Sequence, residues 1–199
     1  MRRRAFLLLL ALLAGCAGTV PVPLPSATRS YSEAMTISGR LSVAYERDGR
    51  AQSLQGKFRW AQSRNRTDIE LSSPLGQTMA RITILPDRAM LEQSNGEVRA
   101  ADSVDALTED ALGWSLPVNG LRFWLQGFTR DGEQPMRAVA PGDTATLHSD
   151  GWRVRYVSWQ DGGGVAVPKR IDFTRDETDQ RLTAPLTLRI VIDDWNNGS

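Results

Sequence analysis

Two side chains in this sequence could act as nucleophile or base near neutral pH: Cys16, the sole cysteine, and His148, the sole histidine. Ser/His/Asp and Cys/His groupings need a base placed at the nucleophile. His148 lies in an alternating segment beside the Asp150-Gly151 turn and reads as a structural or solvent-facing residue. Transition-metal sites draw on pairs of cysteines or histidines at set spacing, and the chain has no such pair. The acidic pairs Asp102/Asp105 and Asp193/Asp194 read as a helix start and a solvated strand end. The run Gly162 to Gly164 lacks the Lys-Ser/Thr partner of a phosphate cradle. The residue inventory thus predicts no catalysis, no metal and no cofactor.

Cys16 has a more specific chemistry in prospect. Arg2, Arg3 and Arg4 precede an apolar run from Phe6 to Ala14, the charged-then-apolar order of a secretory signal. That run is too short to cross a bilayer, which takes roughly 20 apolar residues. Leu13-Ala14-Gly15-Cys16 resembles the bacterial lipobox, in which the thiol receives a diacylglyceryl group and becomes the first residue of the mature chain. A lone cysteine in an exported protein has no partner for an internal disulfide, and lipidation accounts for it. Ala17 is not the aspartate that retains lipoproteins in the inner membrane, so the expected location is the outer membrane, facing the periplasm and lipid-anchored. The expected organisation is a leader over 1–15, a lipidated terminus and tether over 16–30, and one folded domain over 31–199. Prolines at 21, 23 and 25 favour an extended tether. Loss of the leader's three arginines lowers the basic residues from 24 to 21 against 23 acidic ones. With no basic stripe along the chain, nucleic acid is not an expected partner, and a monomer is expected.

The elements that position everything else are strands. Met35, Ile37, Gly39, Leu41, Val43 and Tyr45 share one face, and Leu54, Gly56, Phe58 and Trp60 repeat the beat. It returns in Ile69 and Leu71, in Ala80, Ile82 and Ile84, and in Ala89 and Leu91. Late in the chain it recurs in Trp152, Val154 and Tyr156, in Ile171 and Phe173, and in Leu186, Leu188, Ile190 and Ile192. Asp48-Gly49, Pro86-Asp87, Asn95-Gly96, Asp150-Gly151 and Asp161 to Gly164 mark turns. The middle of the chain switches to helical spacing: one helix capped by Asp102 or Ser103 and stopping near Gly113, another from Pro117 or Asn119 to Gln126 ahead of Gly127. Two short helices cannot cover one face of about ten strands, so the sheet is expected to curl around its apolar side.

Two features remain open to opposite readings. Six tryptophans, at 60, 114, 124, 152, 159 and 195, either fill the core or wall a cavity for an apolar ligand. In Ser72-Ser73-Pro74-Leu75-Gly76-Gln77, Leu75 either folds back onto the domain or forms an apolar finger for a bilayer, where its burial would contribute about 1.5–3 kcal/mol.

Several stretches together resemble the LolB family of outer-membrane lipoprotein receptors. They are Gly39-Arg40-Leu41-Ser42-Val43, Gly56-Lys57-Phe58-Arg59-Trp60, Ser73-Pro74-Leu75-Gly76, Gly113 to Val118, Leu121 to Gly127, Trp152 to Tyr156, and a closing Trp195. The resemblance implies a mainly β fold, an unclosed, strongly curved antiparallel β-barrel enclosing a hydrophobic cavity, with short helices covering the mouth. It implies receipt of lipoproteins from the periplasmic carrier LolA and their insertion among outer-membrane phospholipids. Their acyl chains would lie against Ile37, Leu41, Val43, Phe58, Trp60, Ile82, Ile84, Leu121, Trp124, Leu125, Trp152, Leu188 and Ile190. It carries the membrane-insertion role to the Pro74, Leu75, Gly76 loop. The glycine-rich segment 161–167 departs from the family pattern, leaving the adjacent cavity edge open. The competing readings are an outer-membrane scaffold lipoprotein that pairs with another protein and transfers no acyl chains, and a lipid-modifying enzyme, against which the sparse nucleophile and base inventory argues. Intact mass spectrometry of the cell-derived protein is expected to find Cys16 as a lipid-modified N-terminus; an unmodified thiol, or recovery in the soluble periplasmic fraction, would overturn the anchor.

Overall fold

The computed structural model describes residues 27–47, 49–112, 116–130, 134–143, 145–175 and 186–197. The leader, Cys16, the tether as far as 26, and Trp114 lie outside them. Alternating sequence becomes strand almost throughout. The strands are β1 (Met35–Arg47), β2 (Arg50–Ser63), β3 (Arg66–Ser72), β4 (Thr78–Leu85), β5 (Arg88–Gln93) and β6 (Val98–Ala101). Helices α1 (Val104–Leu112) and α2 (Val118–Trp124) follow, then β7 (Phe128–Thr129), β8 (Arg137–Ala138), β9 (Leu147–Ser149), β10 (Trp152–Asp161), β11 (Ala166–Arg175) and β12 (Thr187–Asn197).

Ten strands form one antiparallel sheet in the order β6-β5-β4-β3-β2-β1-β12-β11-β10-β9, and β7 and β8 form a separate pair. The mainly β, antiparallel, unclosed character matches expectation. The strongly curved barrel does not: β6 and β9 end the sheet as two separate edges, and it neither closes nor curls strongly upon itself. The expectation failed because it counted two helices as the whole cover of the apolar face. The cover also includes the β7–β8 pair and the segment from Ala27 to Ala34, so the helices lie on a sheet face and there is no barrel mouth for them to close.

That cover is stitched together by one cation. The Arg29 guanidinium donates to the carbonyls of Ala166 (2.6 Å), Val139 (2.7 Å) and Gly127 (2.9 Å), joining the N-terminal segment to β11 and to the chain on either side of the β7–β8 pair. It also lies over the rings of Trp159 and Phe128, at 4.8 and 5.3 Å from their centroids. Burial pulls its pKa below the usual arginine value, and the carbonyls and ring faces offset part of that desolvation. Beside it, Tyr31 stacks on Phe123 at 5.4 Å and Ala27 bridges Val165 at the β10–β11 turn.

The helices start and stop where the sequence places them. Ser103 Oγ accepts the Ala106 amide at 3.2 Å, capping α1. Past α2, Gly127 adopts φ +75° and donates to Trp124 O at 2.9 Å. Gly120 is required by a neighbour, because a Cβ there would overlap the Trp124 ring, which lies across the helix and meets Phe173 at 5.6 Å. The Tyr156 hydroxyl donates to Trp124 O at 3.0 Å and ties α2 to β10.

Register sorts the turns between two ends of the sheet. One end carries the β1–β2 connection and the turns at 73–77, 94–96 and 150–151; the other carries those at 64–65, 86–87 and 162–164, with the start of β1 and the bridge from Ala27. Leu75 and the incoming N-terminal segment therefore lie at opposite ends of the strands. Gly120→Ala is expected to displace Trp124 and lower stability by about 1–3 kcal/mol, read as a lower urea midpoint; an unchanged midpoint would show that the ring relocates without cost.

Candidate functional site

The turn after β3 is built to hold a side chain out. Gly76 N donates to Ser73 O at 2.8 Å and Ser73 N donates to Gln77 O at 2.8 Å, with Gly76 at φ +89°. Pro74 pre-sets the first corner and glycine takes the left-handed position that closes a three-residue hairpin. Leu75 is left at the tip, 90% exposed. Of the two readings open from sequence, folding back onto the domain is thereby excluded.

At the same end of the strands, on the opposite side of the sheet from its solvent face, the apolar layer is incompletely filled. A cavity of about 90 Å³ lies between the sheet and the α2 region, lined by Leu41, Val43 and Tyr45 of β1, Leu54, Phe58 and Trp60 of β2, Ile69 and Leu71 of β3, Ile82 of β4, Leu188 and Ile190 of β12, and by Leu116, Leu121 and Leu125. Its inner residues are buried, while Leu41, Tyr45, Leu54, Leu71 and Leu116 are half-buried and form its rim. These rim positions fall toward the end that carries the Leu75 turn. The Trp60 indole N–H donates to Gln62 Oε1 at 3.0 Å, so the largest ring of the wall presents carbon to the cavity and satisfies its polar atom outside it.

Nine residues expected at a cavity from sequence meet there: Leu41, Val43, Phe58, Trp60, Ile82, Leu121, Leu125, Leu188 and Ile190. Four do not. Ile37 pairs with Trp60 but lies toward the opposite end and is buried in the core, as is Trp124 against Phe173. Ile84 packs on the core near the 86–87 turn, and Trp152 is buried on β10 beneath Arg175, whose guanidinium carbon is 6.0 Å from the ring centroid. Tyr45, Leu54, Ile69 and Leu71 were legible as members of the same apolar alternation; Leu116, between the helices, had no periodic signal. His148 lies exposed on β9, and no group of three metal-ligating side chains occurs among the described residues.

The family model "Outer membrane lipoprotein LolB" matches residues 33–195, a span that includes the cavity, both helices and the Leu75 turn. The chain belongs to the LolB family. Curated relatives with that name include one from Cupriavidus taiwanensis, 42% identical over 92% of this chain and 90% of its own. Another, from Cupriavidus metallidurans, is 40% identical over 98% and 97%, and one from Thiobacillus denitrificans is 38% identical over 99% of each. Among solved structures, a DUF1329 family protein from Desulfovibrio piger aligns over 82% of this chain with a TM-score of 0.46 at 9% identity, too distant to bear on function. As a LolB protein the chain is an outer-membrane lipoprotein facing the periplasm, and its task is to receive lipoproteins and transfer them to that membrane rather than to catalyse a reaction.

A fluorescent fatty acid is expected to bind this LolB chain and alter tryptophan emission. Leu54→Glu, which puts a charge on the rim, is expected to weaken binding at least tenfold with little change in the unfolding midpoint. Binding unaffected by this change would remove the cavity from the acyl-chain path.

Proposed function

We propose that the acyl chains of incoming lipoproteins enter the cavity between the sheet and α2 past Leu41, Tyr45, Leu54, Leu71 and Leu116, and leave it for the bilayer beside Leu75. The observation that carries this reading is that the half-buried rim and the protruding leucine share one end of the sheet. Moving three long acyl chains from an apolar site into water costs on the order of 30 kcal/mol at about 0.8 kcal/mol per methylene. Passage through water is therefore too slow, and the donor has to discharge directly into an apolar receptor. The periplasmic carrier LolA is that donor in this reading, with its opening set against the rim. Direction in this reading comes from affinities that rise from carrier to receptor to membrane.

The closed cavity has room for roughly six to nine water-sized groups, a short stretch of one acyl chain. Full loading requires the cover to lift from the sheet over β1 to β4, where half-buried side chains already separate the layers. The cover's other side stays attached through Arg29 and through Tyr156, whose hydroxyl bond is buried. Cys16 carries the anchor in this reading. The stretch from Cys16 to Ala27 reaches about 35–40 Å, more than the roughly 23 Å length of β3. Anchor and Leu75 can thus touch one bilayer although the chain joins the domain at the end opposite Leu75.

Leu75→Glu is expected to leave acceptance of a lipoprotein from the carrier intact and to block its release into liposomes, in an assay that follows both steps. Its stability should match the parent within about 0.5 kcal/mol, since the side chain touches little. Release at the parental rate would remove Leu75 from the mechanism, and loss of acceptance would place it on the carrier path.

A further inference from the structure

The solvent face of the same strands carries a charge pattern that the transfer of acyl chains does not use. Two depressions of about 560 and 460 Å³ lie on that side and share Ser42, Gln55 and Arg189. Arg153, Arg155 and Arg189 line the first, Arg40, Lys57 and Arg189 the second, and among the described residues Asp172 is the one acidic side chain lining either. Asp172 is shared by three guanidiniums, Arg170 at 2.9 Å, Arg189 at 3.1 Å and Arg155 at 3.4 Å, while Arg40 takes Asp193 at 2.8 Å. Burial pushes the Asp172 carboxyl up, but the hydrogen bonds from Arg170 and Arg189 outweigh it and hold the group below its ordinary value, so it stays ionised at neutral pH. Among the described residues, Arg40, Lys57, Arg155 and Arg189 thus gather along one groove in which Asp172 and Asp193 engage the guanidiniums and the Lys57 ammonium stands beside Pro74.

We infer that this groove binds the phosphate headgroups of anionic phospholipids in the bilayer that Leu75 enters. The inference rests on the Leu75 reading for its location and adds a second, electrostatic contact to it. Continuity supplies the first argument: Pro74, next to Leu75, lines the same depression as Arg40, Lys57 and Arg189. Complementarity supplies the second, because guanidinium groups present paired donors that match phosphate oxygens, and the hydroxyl or amide groups of Ser42, Ser53, Gln55 and Thr146 stand among them. The groove lies on the sheet face away from the cavity, so a carrier seated at the rim leaves it uncovered. The leucine and the arginines divide a bilayer's chemistry between them, one side chain for the acyl region and a charged row for the headgroups.

The test uses the chain from residue 17, which keeps every described element and lacks the anchor, sedimented with vesicles of phosphatidylcholine alone or with a third of phosphatidylglycerol. Each basic side chain near an anionic surface strengthens attachment about fivefold, and with several engaged by carboxylates the anionic lipid is expected to improve binding about tenfold or more. The triple variant K57Q/R155Q/R189Q is expected to lose that gain and keep its binding to neutral vesicles. Leu75→Gln, which removes the apolar tip without adding charge, is expected to weaken binding to both vesicles by the same factor; if it changes neither, the leucine reading fails while the anionic gain still stands or falls by itself. Should the triple variant not fold, charge variants at exposed Gln55 serve instead, with Q55E reducing the gain and Q55K raising it. No anionic gain in the parent chain, or a gain that survives these changes, overturns the inference. So does loss of transfer from the carrier with vesicle binding intact, which would assign the groove to a protein partner.

Discussion

A broad sheet with one apolar face has to cover that face or leave it wet, and the covering layer here falls short at one corner. α1 lies over β5 and β6, and α2 with the β7–β8 pair and the Ala27–Ala34 segment covers most of the rest. Over the ends of β1 to β4 and β12 the two layers stand apart, and the rim residues there remain half-buried. An interior packed to crystalline density would exclude a guest; an apolar gap with few polar atoms stays dry and accepts one. The cavity proposed for acyl chains is thus a consequence of where the cover ends.

The same shortfall decides what the cover is attached to. Arg29 is a half-buried cation that no carboxylate among the described contacts neutralises; three carbonyls and two ring faces serve it instead. Such a group fixes geometry more than it adds stability, because desolvation of a charge consumes much of what its hydrogen bonds return. The consequence is a layer held at the β10–β11 side by Arg29 and Tyr156 and at the far end of β2 by Arg122, which donates to Ser63 O at 3.0 Å, and Gln62, which donates to Ser32 O at 3.3 Å, with apolar side chains between the layers at the cavity. A layer attached in this way has its least-tied part at the rim, where the proposed loading would part it from the sheet.

The two faces of the sheet are chemically independent because side chains alternate. Inward positions of β1, β2 and β12 supply Val43, Phe58 and Ile190 to the cavity, while their immediate neighbours supply Ser42, Lys57 and Arg189 to the groove. One set of strands therefore offers an apolar guest site and a cationic surface about one sheet thickness apart. The turn that raises Leu75 stands where the two meet, since Leu71 belongs to the rim and Pro74 to the groove.

Strands, helix caps and turns were legible in the chain because each depends on neighbours within a few residues, whereas the residues around Leu75 left it free to fold back or stand out. The period of two, Ser103 before its helix, Gly127 after the other and the Pro-Leu-Gly order at 74–76 are local chemistry, and the order of these pieces along the chain was enough to identify the family resemblance. The sequence by itself thus determined the elements, which side of each strand is apolar, and that Leu75 could stand clear. It could not determine how the sheet ends, because closure depends on whether β6 and β9 find each other, and it suggested a curled barrel where an open sheet forms. Nor could it separate Leu41 from Ile37, or Trp60 from Trp152, as cavity wall or core. Those residues share one apolar pattern, and only register and the limits of the cover decide which of them face empty space. The cationic groove was equally hidden: its residues come from β1, β2, β10, β11 and β12 and form no run in the chain, so the charge gathers only when hydrogen-bonded strands bring distant residues to one face.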